Sequence, residues 1–120
     1  GGTHGKVNKM SGRPHGLIER LPSEYIGENV FIGASTMSKV ELRRRYVNGV
    51  DALMWGTDYP HPEGTWPMTG VRLKENFSGV PEDEIRKLLG ENALSWYGMS
   101  RDALQPIADR IGPTYSDLQA

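Results

Sequence analysis

The densest group of reactive side chains in the sequence runs Trp55-Gly56-Thr57-Asp58-Tyr59-Pro60-His61-Pro62-Glu63-Gly64-Thr65-Trp66-Pro67. Asp58, His61 and Glu63 offer an imidazole and two carboxylates, groups that can ligate a divalent cation or move a proton. Pro60 and Pro62 stiffen the backbone on either side of His61, and polar groups fixed in that way lose little entropy when they bind a ligand or ion. A purely conformational reading stands beside this one. Gly56-Thr57-Asp58 can form an Asx-turn or cap after a strand, and His61 can pack on a neighbouring loop. A zinc or manganese site needs at least three well-placed ligands, and the prolines splay these three apart, so a complete site inside the loop is not expected. Trp55, Tyr59 and Trp66 can line a pocket for an aromatic substrate or simply serve as core.

These side chains need a scaffold, and the flanking sequence predicts one. Asn29 to Ala34 is apolar on both parities, as is Asp51 to Trp55, which suits strands covered on both faces. Between them Ser38 and Glu41 have the spacing of a capping box, opening a short helix through about Val47 that Asn48-Gly49 ends. Strand, helix, strand is the βαβ unit, with parallel strands and a right-handed crossover. Asp58 then falls just past the carboxyl end of the second strand, the end at which parallel α/β architectures place function. After the polar loop, Thr69 is expected to cap a helix to about Ser78, with Gly79 as its stop. Pro81 sits in the first turn of the next helix, whose acidic Glu82-Asp83-Glu84 and basic Arg86-Lys87 complement a helix dipole before Gly90. Asn92 to Tyr97 forms a further turn or two ending at Gly98. Ser100 caps a last helix with Leu104, Ile107, Ala108 and Ile111 on one face, stopped by Gly112-Pro113.

The chain has 120 residues, 37% apolar and 24% charged, the composition of one globular domain. Its formal net charge of -1 and the lack of any long single-sign run leave nucleic acid and membrane outside the expected partners. There is no cysteine, hence no disulfide or thiolate chemistry. No apolar run approaches the roughly 20 residues of a membrane span, and the expected location is cytoplasmic. Residues 1–20 read as an extended lead-in without an initiator Met, 21–112 as the folded part and 113–120 as a loose tail. Two strands of the fully buried kind need neighbours on both edges and helices on both faces. The chain is therefore expected to be part of a larger α/β domain, or to pair with another polypeptide.

The run Leu53 to Pro67 resembles the final barrel strand and loop of the amidohydrolase-related family, in the branch of aminocarboxymuconate-semialdehyde decarboxylase-like and related aromatic-acid decarboxylases. Leu21-Pro22-Ser23-Glu24-Tyr25 followed by Asn29-Val30-Phe31 resembles the family's approach to its seventh strand. Gly90-Glu91-Asn92-Ala93-Leu94-Ser95-Trp96-Tyr97-Gly98 resembles its closing helix. Three such motifs in the correct order, over residues 21–112, make the resemblance specific. It implies an α/β fold, the C-terminal segment of a (β/α)8 TIM barrel with two parallel strands plus trailing helices. It also implies a divalent metal, zinc above all, in the full-length protein, with Asp58 both a metal ligand and the group that handles the proton of the attacking water. His61, Trp55 and Tyr59 are the substrate-binding candidates beside it. The implied reaction is hydrolysis or non-oxidative decarboxylation of a small carboxylated or aromatic molecule. The family's first-strand His-x-His pair and mid-barrel histidines have no counterpart among His4, His15 and His61, so the 120-residue chain alone is expected to be inactive. Its expected partners are a small-molecule substrate and the remainder of the barrel, with a homo-oligomer left open. The alternative is a non-catalytic piece that completes a partner's sheet through its unpaired strand edge.

Overall fold

The computed structural model describes residues 19–120. Nearly all of the expected lead-in, with His4 and His15, lies outside the described residues. The described chain opens on a 3-10 turn, Pro22–Tyr25, in which the Glu24 carboxylate accepts the amide of Leu21. The carbonyl of Tyr25 then accepts the amides of Glu28, Asn29 and Val30 at 3.1, 3.2 and 3.2 Å. Donors spent in this turn are not free for a ladder, and so strand β1 is Ile32–Ser35 and does not start at Asn29.

Ser38 caps the crossover as its spacing predicts. Its amide donates to the Glu41 carboxylate at 2.7 Å and its hydroxyl accepts the Glu41 amide at 3.3 Å. The crossover is two short helices, α1 Lys39–Arg43 and α2 Arg45–Asn48, broken at Arg44 where ψ is 1°. Strand β2, Leu53–Gly56, lies parallel to β1 in the register Ile32 to Leu53, Gly33 to Met54, Ala34 to Trp55 and Ser35 to Gly56. The parallel neighbours expected from the two apolar runs are thus present.

Double coverage is not. Ile32, Ala34, Leu53 and Trp55 face the helices and pack on the cluster of Met37, Leu42, Leu73, Phe77, Val80, Ile85, Leu88 and Leu118. On the opposite face Gly33 and Ser35 are exposed, and a Cβ placed on Gly33 or Gly56 would meet no atom within 4 Å. Among the described residues the sheet therefore has one covered face and one open face.

Helix α3, Thr69–Phe77, buries Leu73 and Phe77 one turn apart. Met68 holds the cap position and Thr69 is already helical, its hydroxyl 3.0 Å from that of Thr65, so the cap expected of Thr69 is not formed. Helix α4, Glu82–Arg86, follows Pro81, which stands at the N-cap and outside the first turn. Gly90, read as a stop, lies within a π-helical turn, Lys87–Glu91, that carries α4 directly into α5, Asn92–Tyr97. The Asn92 amide bonds the carbonyl of Lys87 across this wide turn. Gly98 ends α5 in the left-handed conformation at φ 63°, and the Met99 amide reaches the Leu94 carbonyl at 2.9 Å, a Schellman closure.

Ser100 caps helix α6, Arg101–Ile111, accepting the Ala103 amide at 3.3 Å. Its expected apolar face is only partly covered among the described residues: Leu104 is half-buried, no residue of α6 is fully buried, and Ile111 is 73% exposed. The tail, expected to be loose, is tied down. Leu118, in the 3-10 turn Ser116–Leu118, is buried in the core, Gln119 Oε1 accepts the Gly79 amide at 3.0 Å, and the Ala120 amide donates to Ser78 Oγ at 3.1 Å.

Polar contacts fix one helix to the sheet and tie two others to each other. Asn92 is buried, and its Nδ2 donates to the carbonyls of Val50 and Leu53 at 2.7 and 2.8 Å, pinning α5 to the amino end of β2. Nearby, Lys87 Nζ pairs with Asp51 at 2.7 Å, which raises the lysine's pKa. On the other flank Arg45 Nε meets Glu84 Oε2 at 2.5 Å, with side chains 12% and 13% exposed, and Tyr46 donates to Glu84 Oε1 at 2.6 Å. Burial pushes the Glu84 carboxyl up, but the Tyr46 hydroxyl and Arg45 guanidinium outweigh it and hold its pKa below the ordinary value. No helix of the described residues is long and apolar enough to cross a membrane.

Candidate active site

Both strands end in a residue with positive φ, Thr36 at 55° after β1 and Asp58 at 58° shortly after β2. Such angles are uncommon for residues other than glycine, and for a β-branched threonine unusual. The Thr36 amide still reaches the Gly56 carbonyl at 3.3 Å, so pairing continues to the rim before the chains part. Beyond it the loop closes on itself. The His61 amide donates to the Asp58 carbonyl at 2.8 Å, the Gly64 amide to the His61 carbonyl at 2.9 Å and the Thr65 amide to the Thr57 carbonyl at 2.9 Å. Gly64 is required there, because a Cβ would stand 2.7 Å from the Thr57 carbonyl oxygen and 3.0 Å from those of Asp58 and His61. Buried Thr65 anchors the far end through the Thr69 hydroxyl.

The local cap in this loop belongs to Thr57, whose hydroxyl accepts the amide of Tyr59 at 3.2 Å. The Asp58 carboxylate is left out of backbone capping and faces His61, with Oδ2 3.1 Å from Nδ1 and side chains 40% and 56% exposed. The same Nδ1 lies 3.3 Å from the Glu63 amide. One nitrogen cannot donate to the carboxylate and accept from the amide at once, so the proton on Nδ1 selects which contact is made. With the proton on Nδ1 the neutral ring leaves Nε2 as an acceptor.

The aromatic residues separate into two groups. Trp55 points to the helical side of the sheet and packs on the core. Tyr59 and Trp66 are 64% and 66% exposed and meet edge to face, with ring centroids 5.7 Å apart. Asp58, His61 and Tyr59 thus share one loop, while Trp55 stands apart from them. Thr57 and Gly64, which shape the loop, carried no chemical signal in the sequence. The signal for Thr57 is positional, a hydroxyl two residues before Tyr59, whereas the need for Gly64 follows only from the three carbonyl oxygens that converge on it. Among the described residues no three of His, Cys, Asp and Glu are grouped to hold a metal ion. The described residues therefore do not fit a metal by themselves, and what they offer is one carboxylate with an imidazole beside it.

The amidohydrolase family model matches residues 18–99, more than half of the chain. The chain belongs to the amidohydrolase family, whose fold is the TIM barrel and whose members are generally metal-dependent. No curated protein and no solved structure matches the chain.

Proposed function

We propose that residues 21–112 are the carboxyl-terminal part of an amidohydrolase barrel, with β1 and β2 as its last two strands, in the aromatic-acid decarboxylase-like branch of the family. The full-length enzyme hydrolyses or non-oxidatively decarboxylates a small carboxylated or aromatic molecule. The observation that carries this reading is the position of Asp58: just past the carboxyl end of β2, in a loop closed by its own backbone bonds, its carboxylate uninvolved in capping. In hydrolysis Asp58 accepts the proton of the attacking water and passes it to the leaving group, and in decarboxylation it takes a proton from water and delivers it to the carbon that loses carbon dioxide. His61 orients Asp58 or the substrate, and Tyr59 borders the same loop. The divalent ion, zinc above all, requires further ligands from other parts of the barrel. Among the described residues the outer edges of β1 and β2 are unpaired, which favours such a completion, since a parallel pair is stable inside a larger sheet.

The test is metal analysis of the full-length protein with and without Asp58→Asn. The expected result is bound divalent metal in the unmodified protein and less in the variant. Equal metal content, or none in either, favours the non-catalytic piece that completes a partner's sheet.

A further inference from the structure

Away from the Asp58 loop, a cavity of about 250 Å³ opens between the crossover helices and the far end of α3. Lys39, Arg43 and Arg45 line it from one side and Asn76 and Ser78 from the other, with buried Leu42 and Val80 completing the lining. Both walls belong to this chain, because α1 and α3 pack on each other and Leu42 and Val80 are part of the common core. The cavity therefore depends neither on the open face of the sheet nor on its strand edges. No carboxylate is among its lining residues. Arg45 has its counter-ion in Glu84. Lys39 and Arg43 have none among the described residues, and the carboxylates nearest to them on these helices are engaged elsewhere, Glu41 with the Ser38 amide and Glu75 with Arg72. The two cations also stand four residues apart on one helix, the spacing at which like charges repel. Neutral donors complete the set: Ser78 Oγ accepts the Ala120 amide at 3.1 Å, which leaves the hydroxyl proton to donate, and Asn76 adds an amide.

We propose that this cavity binds a phosphate group, free or carried by a small molecule, between Lys39 and Arg43 of α1 and the Asn76 amide and Ser78 hydroxyl at the end of α3. A doubly charged anion matches the two uncompensated cations and relieves their repulsion. Its terminal oxygens can accept from a guanidinium fork, an ammonium and neutral donors together. The volume lies below the roughly 300 to 1,000 Å³ of sites for drug-sized ligands, which suits a phosphate group and not a large molecule buried whole. The site stands independently of the role of Asp58, none of whose loop residues line it.

The experiment is titration calorimetry of the full-length protein with inorganic phosphate and, separately, with glycerol phosphate, with thermal unfolding followed in parallel. Lys39→Gln and Arg43→Gln are each expected to weaken phosphate binding about tenfold, the scale of one hydrogen bond to a charged group. Arg43→Lys keeps the charge and loses the fork, and its affinity is expected to fall between. Both positions are exposed, so the fold tolerates these changes. Without phosphate Arg43→Gln is expected to unfold at a slightly higher temperature than the unmodified protein, since the repulsion is gone, and with saturating phosphate at a lower one. Asp58→Asn is expected to bind phosphate as the unmodified protein does, which separates this site from the metal centre. Tighter binding of glycerol phosphate than of phosphate assigns the site to a phosphorylated molecule, and equal or weaker binding assigns it to the free ion. No phosphate binding by the unmodified protein, unchanged affinity in either glutamine variant, the same order of unfolding temperatures with and without phosphate, or an equal thermal shift from sodium chloride at matched ionic strength overturns the proposal.

Discussion

Asn92 Nδ2 lies 2.8 Å from the carbonyl of Leu53 across 39 residues of sequence, and the same amide group holds the carbonyl of Val50 at 2.7 Å. The Gly90-Glu91-Asn92-Ala93 motif is therefore a fastener. It ties the helix that follows the π-helical turn to the amino end of the strand whose other end leads to Asp58. The residue is at the opposite end of β2 from the candidate chemistry, and in TIM barrels, the fold of the family, that end governs stability.

Asn92→Ala is expected to destabilise the full-length protein by about 2 to 4 kcal/mol, because two inward carbonyls lose their donor at once. Denaturant unfolding with tryptophan fluorescence measures it. A loss below about 0.5 kcal/mol would mean that water replaces the amide without cost.

Asp58→Asn is expected to lower turnover by about 10² to 10⁴ with the fold unchanged, since the amide keeps the shape and removes the charge and the proton acceptor. His61→Asn is expected to have a smaller and more substrate-dependent effect. Steady-state kinetics at verified metal occupancy decides, and a loss under about tenfold for Asp58→Asn is too small for the role proposed.

Gly64→Ala forces a methyl group against three backbone oxygens, none of which can swing aside as a side chain would. The loop must move, and a displacement of about 1 Å at a catalytic group costs on the order of 10²-fold in rate. Far-ultraviolet circular dichroism should be unchanged while turnover falls. Full activity in the variant would show that the loop closure is not needed.

Glu84→Gln is expected to destabilise the protein by about 1 to 3 kcal/mol at neutral pH, through the partly buried contacts to Arg45 and Tyr46. The Glu84 pKa is lowered in the folded state, so its contribution is fully present above the unfolded carboxylate value and disappears as pH falls through the folded one. Unfolding free energies of the two proteins should therefore converge in acid. A gap that stays constant with pH would assign the effect to packing.

The strand pair and the Ser38 cap were legible because each rests on local chemistry: an uninterrupted apolar run, or a hydroxyl and a carboxylate three residues apart. The start of β1 was not, since Asn29 and Val30 look like strand and their amides are claimed by a turn around Tyr25. Thr69 misled for a related reason: it has the side chain of a cap, but its hydroxyl bonds a threonine in the preceding loop. Leu118 stands alone among polar neighbours and shows no periodicity, so its burial follows only from the space left beside α3. At the site, Asp58 and His61 were legible by type. The separation of Trp55 from Tyr59 depended on strand parity, because Trp55 shares the parity of core residue Leu53. Double coverage is what runs apolar on both parities predict, yet among the described residues Gly33 and Ser35 lie on an open face.

The wide turn at Lys87–Glu91 gives the chain a place to lose a residue. Deleting one amino acid from a regular helix rotates everything beyond it by about 100°. A deletion between Lys87 and Glu91 would instead relax the π-turn to α-helical spacing, and most of that rotation would be absorbed where it arises. Asn92 would keep its hold on the strand, and the helices after it would keep their facing. Relatives one residue shorter at this point are consequently compatible with the same architecture, whereas the same gap inside α6 would turn its outward side chains toward the core.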